Sequence, residues 1–156
     1  MKFKILLVAL LGIFLFSGCS STKLQEAKFD ENQKIYRSMQ PKCGDSLEEQ
    51  YLQKQIERFA RKKGVLGNDL LIDCRVVDYD KGNRALRYLI GFGAGQANTI
   101  IHTKVVNDRN ATIGEFGIEA KLRMGIFGGN DKKILINSAK MIYKEVMKNF
   151  IDRSKR

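Results

Sequence analysis

"TIGEFGIEAKLRM", residues 112 to 124, is the stretch on which the fold turns. Phe116, Ile118, Ala120, Leu122 and Met124 fall on one parity, with Glu115, Glu119, Lys121 and Arg123 on the other. Side chains of a strand point alternately to opposite faces, so this pattern predicts a strand with one face in the core and the other in water. Antiparallel sheets covered on a single side are built that way.

Working outward, "NTIIHTKVVN" before it is rich in β-branched residues that suit a pleated surface. The polar "NDRNA" between them forms a turn, so Gln96 to Val106 and Thr112 to Met124 are expected as an antiparallel hairpin. Further upstream, "DLLIDCRVVDYD" sets Leu70, Ile72, Cys74 and Val76 against Leu71, Asp73, Arg75 and Val77, another strand covered on one side. Lys34 to Met39 reads as a short first strand.

Two segments switch to helical period. In "SLEEQYLQKQIERFARKKG", Ser46 and Glu49 stand at capping-box spacing and Leu52, Ile56, Phe59 and Ala60 share a face. Near the C-terminus, Leu135, Ala139, Ile142, Val146 and Phe150 form an apolar stripe, with Asn130 or Asp131 available as cap. Lys133, Asn137, Lys140, Lys144 and Lys148 form the opposite stripe. That lysine row is either a solvated face or a contact with an anionic membrane surface. The elements together predict a single two-layer α+β domain: a mostly antiparallel sheet of three to four strands with two amphipathic helices on one face.

The N-terminus carries an address. Lys2 and Lys4 precede an apolar run from Ile5 to Phe16, and Phe16-Ser17-Gly18-Cys19 closes it. A charged start, a short apolar stretch and a small-residue cleavage site mark an export signal. The run is shorter than the roughly 20 apolar residues a spanning helix needs. Residues 1–18 are expected to be removed, 19–32 to form a lipidated, flexible tether, and 33–156 to fold. Removing the first 18 of 156 residues leaves 138, enough for one domain. Loss of Lys2 and Lys4 lowers the formal charge from +11 to +9. Anionic envelope surfaces fit such a charge; nucleic acid is seldom met outside the cytoplasm.

Of three cysteines, Cys19 belongs to the signal. Export permits a Cys43 to Cys74 disulfide. Spacing alone does not bring their Cα atoms into bonding range, and Cys74 on an apolar strand face equally suits a small buried thiol.

Ser17, Gly18 and Cys19 resemble the bacterial lipoprotein signal, although Phe16 stands where that family prefers Leu. The resemblance implies acylation of Cys19, and Ser20 after it implies sorting to the outer membrane; the periplasmic face is the expected side of that membrane, though the residues do not themselves distinguish it from the outside. "R-x-x-x-G-F-G-A-G-x-A", formed by Arg87, Gly91, Phe92, Gly93, Ala94, Gly95 and Ala97, resembles the signature of an uncharacterised family of bacterial lipoproteins with a domain of unknown function. The element order is also similar to that of small envelope assembly lipoprotein domains of the curli secretion type. Neither likeness brings a catalytic residue.

The glycines do not make a nucleotide site. A dinucleotide fingerprint would need glycine or alanine where Gln96 or Asn98 stands, and a phosphate loop would need a lysine after Gly95. A β-branched strand follows instead of a helix N-terminus. The alternate glycines are expected to permit a bend or close backbone approach, with Arg87 either orienting that segment or facing solvent. His102 stands alone on the polar side of its strand, and carboxylates are dispersed. These observations point away from catalysis, metal, cofactor, nucleotide and nucleic acid. They point toward a non-catalytic accessory or scaffold protein of an outer-membrane assembly with an envelope protein partner. A lipid or lipopolysaccharide-binding module is the alternative, and an unrecognised hydrolase a more distant one.

Overall fold

A computed structural model describes residues 20–30, 36–82, 97–122 and 132–152. Its elements are β1 (Ser20–Phe29), β2 (Met39–Cys43), α1 (Leu47–Lys62), β3 (Leu66–Asp80), β4 (Ala97–Val106), β5 (Thr112–Leu122) and α2 (Lys132–Asn149). The strands form one five-stranded sheet in the order β1-β5-β4-β3-β2. All neighbours are antiparallel except β2 and β3, which are parallel and joined through α1.

The expected hairpin is present: β4 pairs with β5 from Ala97↔Leu122 to Val106↔Thr112. Its turn is held by Asn107, whose Oδ1 accepts from the N–H groups of Arg109 and Ala111 at 3.0 and 2.9 Å. Asn110 closes the turn at φ 61°, a left-handed conformation that asparagine tolerates better than most residues.

Ser46 caps α1 as its spacing predicts. Its hydroxyl accepts from the Glu49 N–H at 3.2 Å, and the Glu49 carboxylate accepts from the Ser46 N–H at 3.0 Å. Leu52, Ile56 and Ala60 of α1 and Ile142 and Val146 of α2 are buried in one cluster with Ile72, Cys74, Ile101, Val105, Phe116 and Ile118 of the sheet. Both helices therefore cover the same face. Each fully buried aliphatic or aromatic side chain contributes about 1.5–3 kcal/mol, and this cluster is the main source of stability.

Two expectations change. Residues 20–32 are expected as tether, yet Ser20–Phe29 is the edge strand β1, paired with β5 from Ser20↔Leu122 to Phe29↔Gly114. The sheet thus has five strands rather than three to four. A polar edge strand buries almost nothing of its own and carries no alternation to read, so only its pairing reveals it. The first strand is also displaced, from Lys34–Met39 to Met39–Cys43, while Tyr36 makes an isolated bridge to Ile151. Pro41 disguised that strand, but an edge tolerates a residue without an N–H.

The far end of the core is closed by three phenylalanines. Phe29 lies 6.0 Å from Phe116 and 5.7 Å from Phe150, centroid to centroid. Gly114 leaves room for them, since a Cβ there would lie 2.6 Å from Phe150 Cζ.

Candidate functional site

The two sheet edges differ. At β2, Met39, Pro41 and Cys43 point into the core. Cys43 and Cys74 are register partners with Cα atoms 4.5 Å apart, and a disulfide joins them. The Cys43 N–H donates to Gln53 Oε1 of α1 at 3.0 Å, and Gln53 is held in turn by Glu57 at 2.8 Å. Proline, disulfide and a helix side chain close this edge.

Beside it lies a clamp that the sequence indicated only as a helix cap. β3 carries a bulge between Val76 and Asp78, which leaves the ladder locally interrupted. Glu49 Oε1 accepts the Val76 N–H at 3.1 Å while its Oε2 holds Ser46, so one buried carboxylate ties the start of α1 to the bulge. Thr99 Oγ1 donates to the Asp78 carbonyl at 3.0 Å on the other side. Burial pushes the Glu49 carboxyl up, but the N–H groups of Ser46 and Val76, the Ser46 hydroxyl and the Arg75 guanidinium outweigh it and hold the group below the ordinary glutamate value. Gly44 is required here, because a Cβ would run into that carboxylate.

β1 is the open edge. Among the described residues no strand pairs with its outer side. Its pairing with β5 is regular from Ser20 to Gln25, then shifts before Lys28 around Glu26, whose φ is 44°. The uncovered sheet face beside it is polar. Gln25 Nε2 donates to Glu119 Oε2 at 2.6 Å, and Lys121 meets Glu119 Oε1 at 2.5 Å, which holds the Glu119 carboxyl below its ordinary value. His102 Nε2 lies 2.8 Å from Glu115 Oε1, both about two-fifths exposed. His102 is thus on the polar face, as expected, and sits beside a carboxylate that the sequence did not assign to it.

Lys133, Lys140, Lys144 and Lys148 are exposed along α2, which carries five lysines and one glutamate. Arg58, Arg61 and Lys62 continue the basic surface at the end of α1. At the opposite end of the helix layer, Leu47, Glu48, Tyr51, Tyr79, Lys81, Lys132 and Leu135 line a cleft of about 290 Å³. Lys132 lies 5.4 Å from the Tyr51 ring, Lys81 lies 5.6 Å from the Tyr79 ring, and Lys81 pairs with Glu48 at 3.0 Å. Nothing in the residue pattern singled this cleft out, because it joins positions from three separate segments. Cys19, Arg87, Gly91, Gly93 and Gly95, with the expected caps Asn130 and Asp131, lie outside the described residues. Among the described residues no group of three or more His, Cys, Asp or Glu side chains could hold a metal ion, and no helix is long and apolar enough to cross a membrane.

The arrangement is that of a small α+β domain with one helix-covered sheet face and one polar face that no described element covers. Its sequence matches the family model DUF4410, a domain of unknown function, over residues 19–125, and the chain belongs to that family. No curated protein matches it. Solved structures with a similar chain course include a PelC dodecamer from Paraburkholderia phytofirmans, at 5% identity and TM-score 0.44 over 86% of this chain and 100% of that one. A protein provisionally described as a lipoprotein from Caulobacter crescentus CB15 aligns at 5% identity and TM-score 0.49, over 70% and 88% of the two chains. A minor lipoprotein from Acinetobacter baumannii aligns at 12% identity and TM-score 0.47, over 73% and 94%.

Proposed function

We propose that this protein is a lipid-anchored lipoprotein of the bacterial envelope, acylated at Cys19, that acts by binding and not by catalysis. It serves as an accessory or scaffold of an outer-membrane assembly on the periplasmic face. The observation that carries this reading is the contrast between the edges: β2 is closed, whereas β1 has an outer backbone row that no described strand pairs with, open to a strand of a partner. The anchor is supported by the Ser17-Gly18-Cys19 signal, and the family match begins at Cys19.

In vivo photo-crosslinking tests it. A crosslinker replacing Lys23 on β1 is expected to capture one protein stoichiometrically, and one replacing Lys42 on β2 to capture none. Equal capture at both, or co-purified lipid without a protein, would remove the scaffold reading. The lipid outcome would favour the second reading, a lipid or lipopolysaccharide-binding module, which the exposed Lys133, Lys140, Lys144 and Lys148 row supports.

A further inference from the structure

The strand at Ser20–Phe29 changes how an anchored domain sits. A disordered run over 19–32 would give the domain a reach of roughly 20 Å from its lipid, at about 5–6 Å times the square root of its length. With Ser20 already paired to Leu122, Cys19 lies one peptide, about 3.8 Å between Cα atoms, from the sheet. A domain so attached is held against the head groups, and the question becomes which of its surfaces they meet.

Three elements begin at the Ser20 end. Asn137 Nδ2 donates to Ser20 Oγ at 3.1 Å, which sets α2 level with the start of β1. α2 and β1 run the same way, since Phe150 and Phe29 meet at the far end. Lys132 and Lys133 therefore project about 6–8 Å past Ser20, at roughly 1.5 Å per helical residue, beyond the start of β1. α1 begins alongside: its Tyr51 lies under Lys132, and its first residue, Leu47, is 79% exposed, the most exposed large apolar side chain among the described residues. The cleft there is at the small end for a ligand pocket. Exposed leucine, tyrosine rings and lysines whose ammonium groups lie over those rings are instead the composition that settles at a membrane interface.

We infer that the end of the domain carrying Leu47, Tyr51, Tyr79, Lys81, Lys132 and Lys133 rests on the phospholipid head-group layer, with the sheet standing end-on above it. This inference rests on the anchoring reading. Glu48 and Asp80 offset part of the lysine charge at this end, so the contact relies on Leu47 and the rings, and anionic lipid strengthens it only modestly. The more basic surface, Arg58, Arg61, Lys62, Lys144 and Lys148, then faces away. Lys148 lies about 16 Å further along α2 than Asn137, beyond the Debye length of about 8 Å at physiological salt. The rest of the lysine row, Lys140, Lys144 and Lys148, would touch lipid only if the domain lay flat on its helices, the pose that this inference excludes.

The mature full-length protein, purified in detergent, provides the test. Intact mass reports the acyl chains. The protein is reconstituted in phosphatidylethanolamine and phosphatidylglycerol vesicles containing head-group spin-labelled lipid. A fluorophore is attached in Leu47→Cys or in Lys148→Cys; the disulfide keeps Cys43 and Cys74 unreactive. Loss of fluorescence at position 47 with none at 148 is the expected result. Quenching at 148 as great as at 47, or at neither, overturns the end-on pose while an acylated mass leaves the anchor standing. Should the mass show no acyl chain, the anchoring reading fails. The same probes on unacylated protein, with Cys19→Ser to remove its free thiol, then decide the surface when added to vesicles, with quenching at 47 alone sustaining it and any other result ending it.

Discussion

The two edge strands solve the same problem by opposite means. β2 has five residues, buries three of them, contains a proline and is fastened to β3 by a disulfide and to α1 by Gln53. β1 has ten residues, is exposed along most of its length and is held chiefly where Phe29 enters the core. A closed edge protects a sheet from unwanted pairing, while an open one is a liability unless something is meant to use it. The difference assigns stability to the β2 side and availability to the β1 side.

The largest expected effect falls on the closed edge. Replacing Cys43 and Cys74 together by alanine removes a crosslink between residues 31 apart and should cost about 2–4 kcal/mol in urea unfolding. A loss no greater than that at an exposed β1 position would erase the contrast. Next comes the point where a β1 side chain enters the core: Phe29→Ala is expected to cost about 2 kcal/mol, less than a fully buried phenylalanine because Phe29 is only half-buried.

Glu49→Gln sharpens the account of the β2 side, with an expected cost of about 1–2 kcal/mol as two backbone N–H groups lose a charged acceptor. Because the folded-state pKa of Glu49 is lowered, its carboxylate stabilises the fold fully above the unfolded-state value near 4.3, and that contribution is lost as pH falls through the lower folded-state value. Denaturation of wild type and variant across pH 3 to 7 should therefore give a gap that is constant at neutral pH and narrows in acid. A gap that widened in acid would contradict the clamp. The smallest effect is expected at Leu24→Ala on the open edge, below about 1 kcal/mol, since Leu24 is already 37% exposed.

What could be read directly follows from burial. β5, β4, β3 and both helices announce themselves because each sets an apolar stripe against one core, and a stripe imposes its period on the residues: Phe116, Ile118 and Ala120 at two, Leu52, Ile56 and Ala60 at helical spacing. The Ser46 and Glu49 cap was legible for the same local reason, four residues serving one another. The second duty of Glu49, on the Val76 N–H, was not, because a bulge is a property of two strands in register and not of either alone.

The residues by themselves determined the helix-on-sheet class, the hairpin and the exposed lysine row, all consequences of composition and short-range period. Tertiary structure alone decided that Ser20–Phe29 is a strand and that Cys43 lies opposite Cys74. It also brought Leu47, Tyr51, Tyr79 and Lys132 to one end of the domain. Such facts depend on which backbone groups meet across long loops, and an edge strand that buries little leaves no trace of its pairing in its own residues.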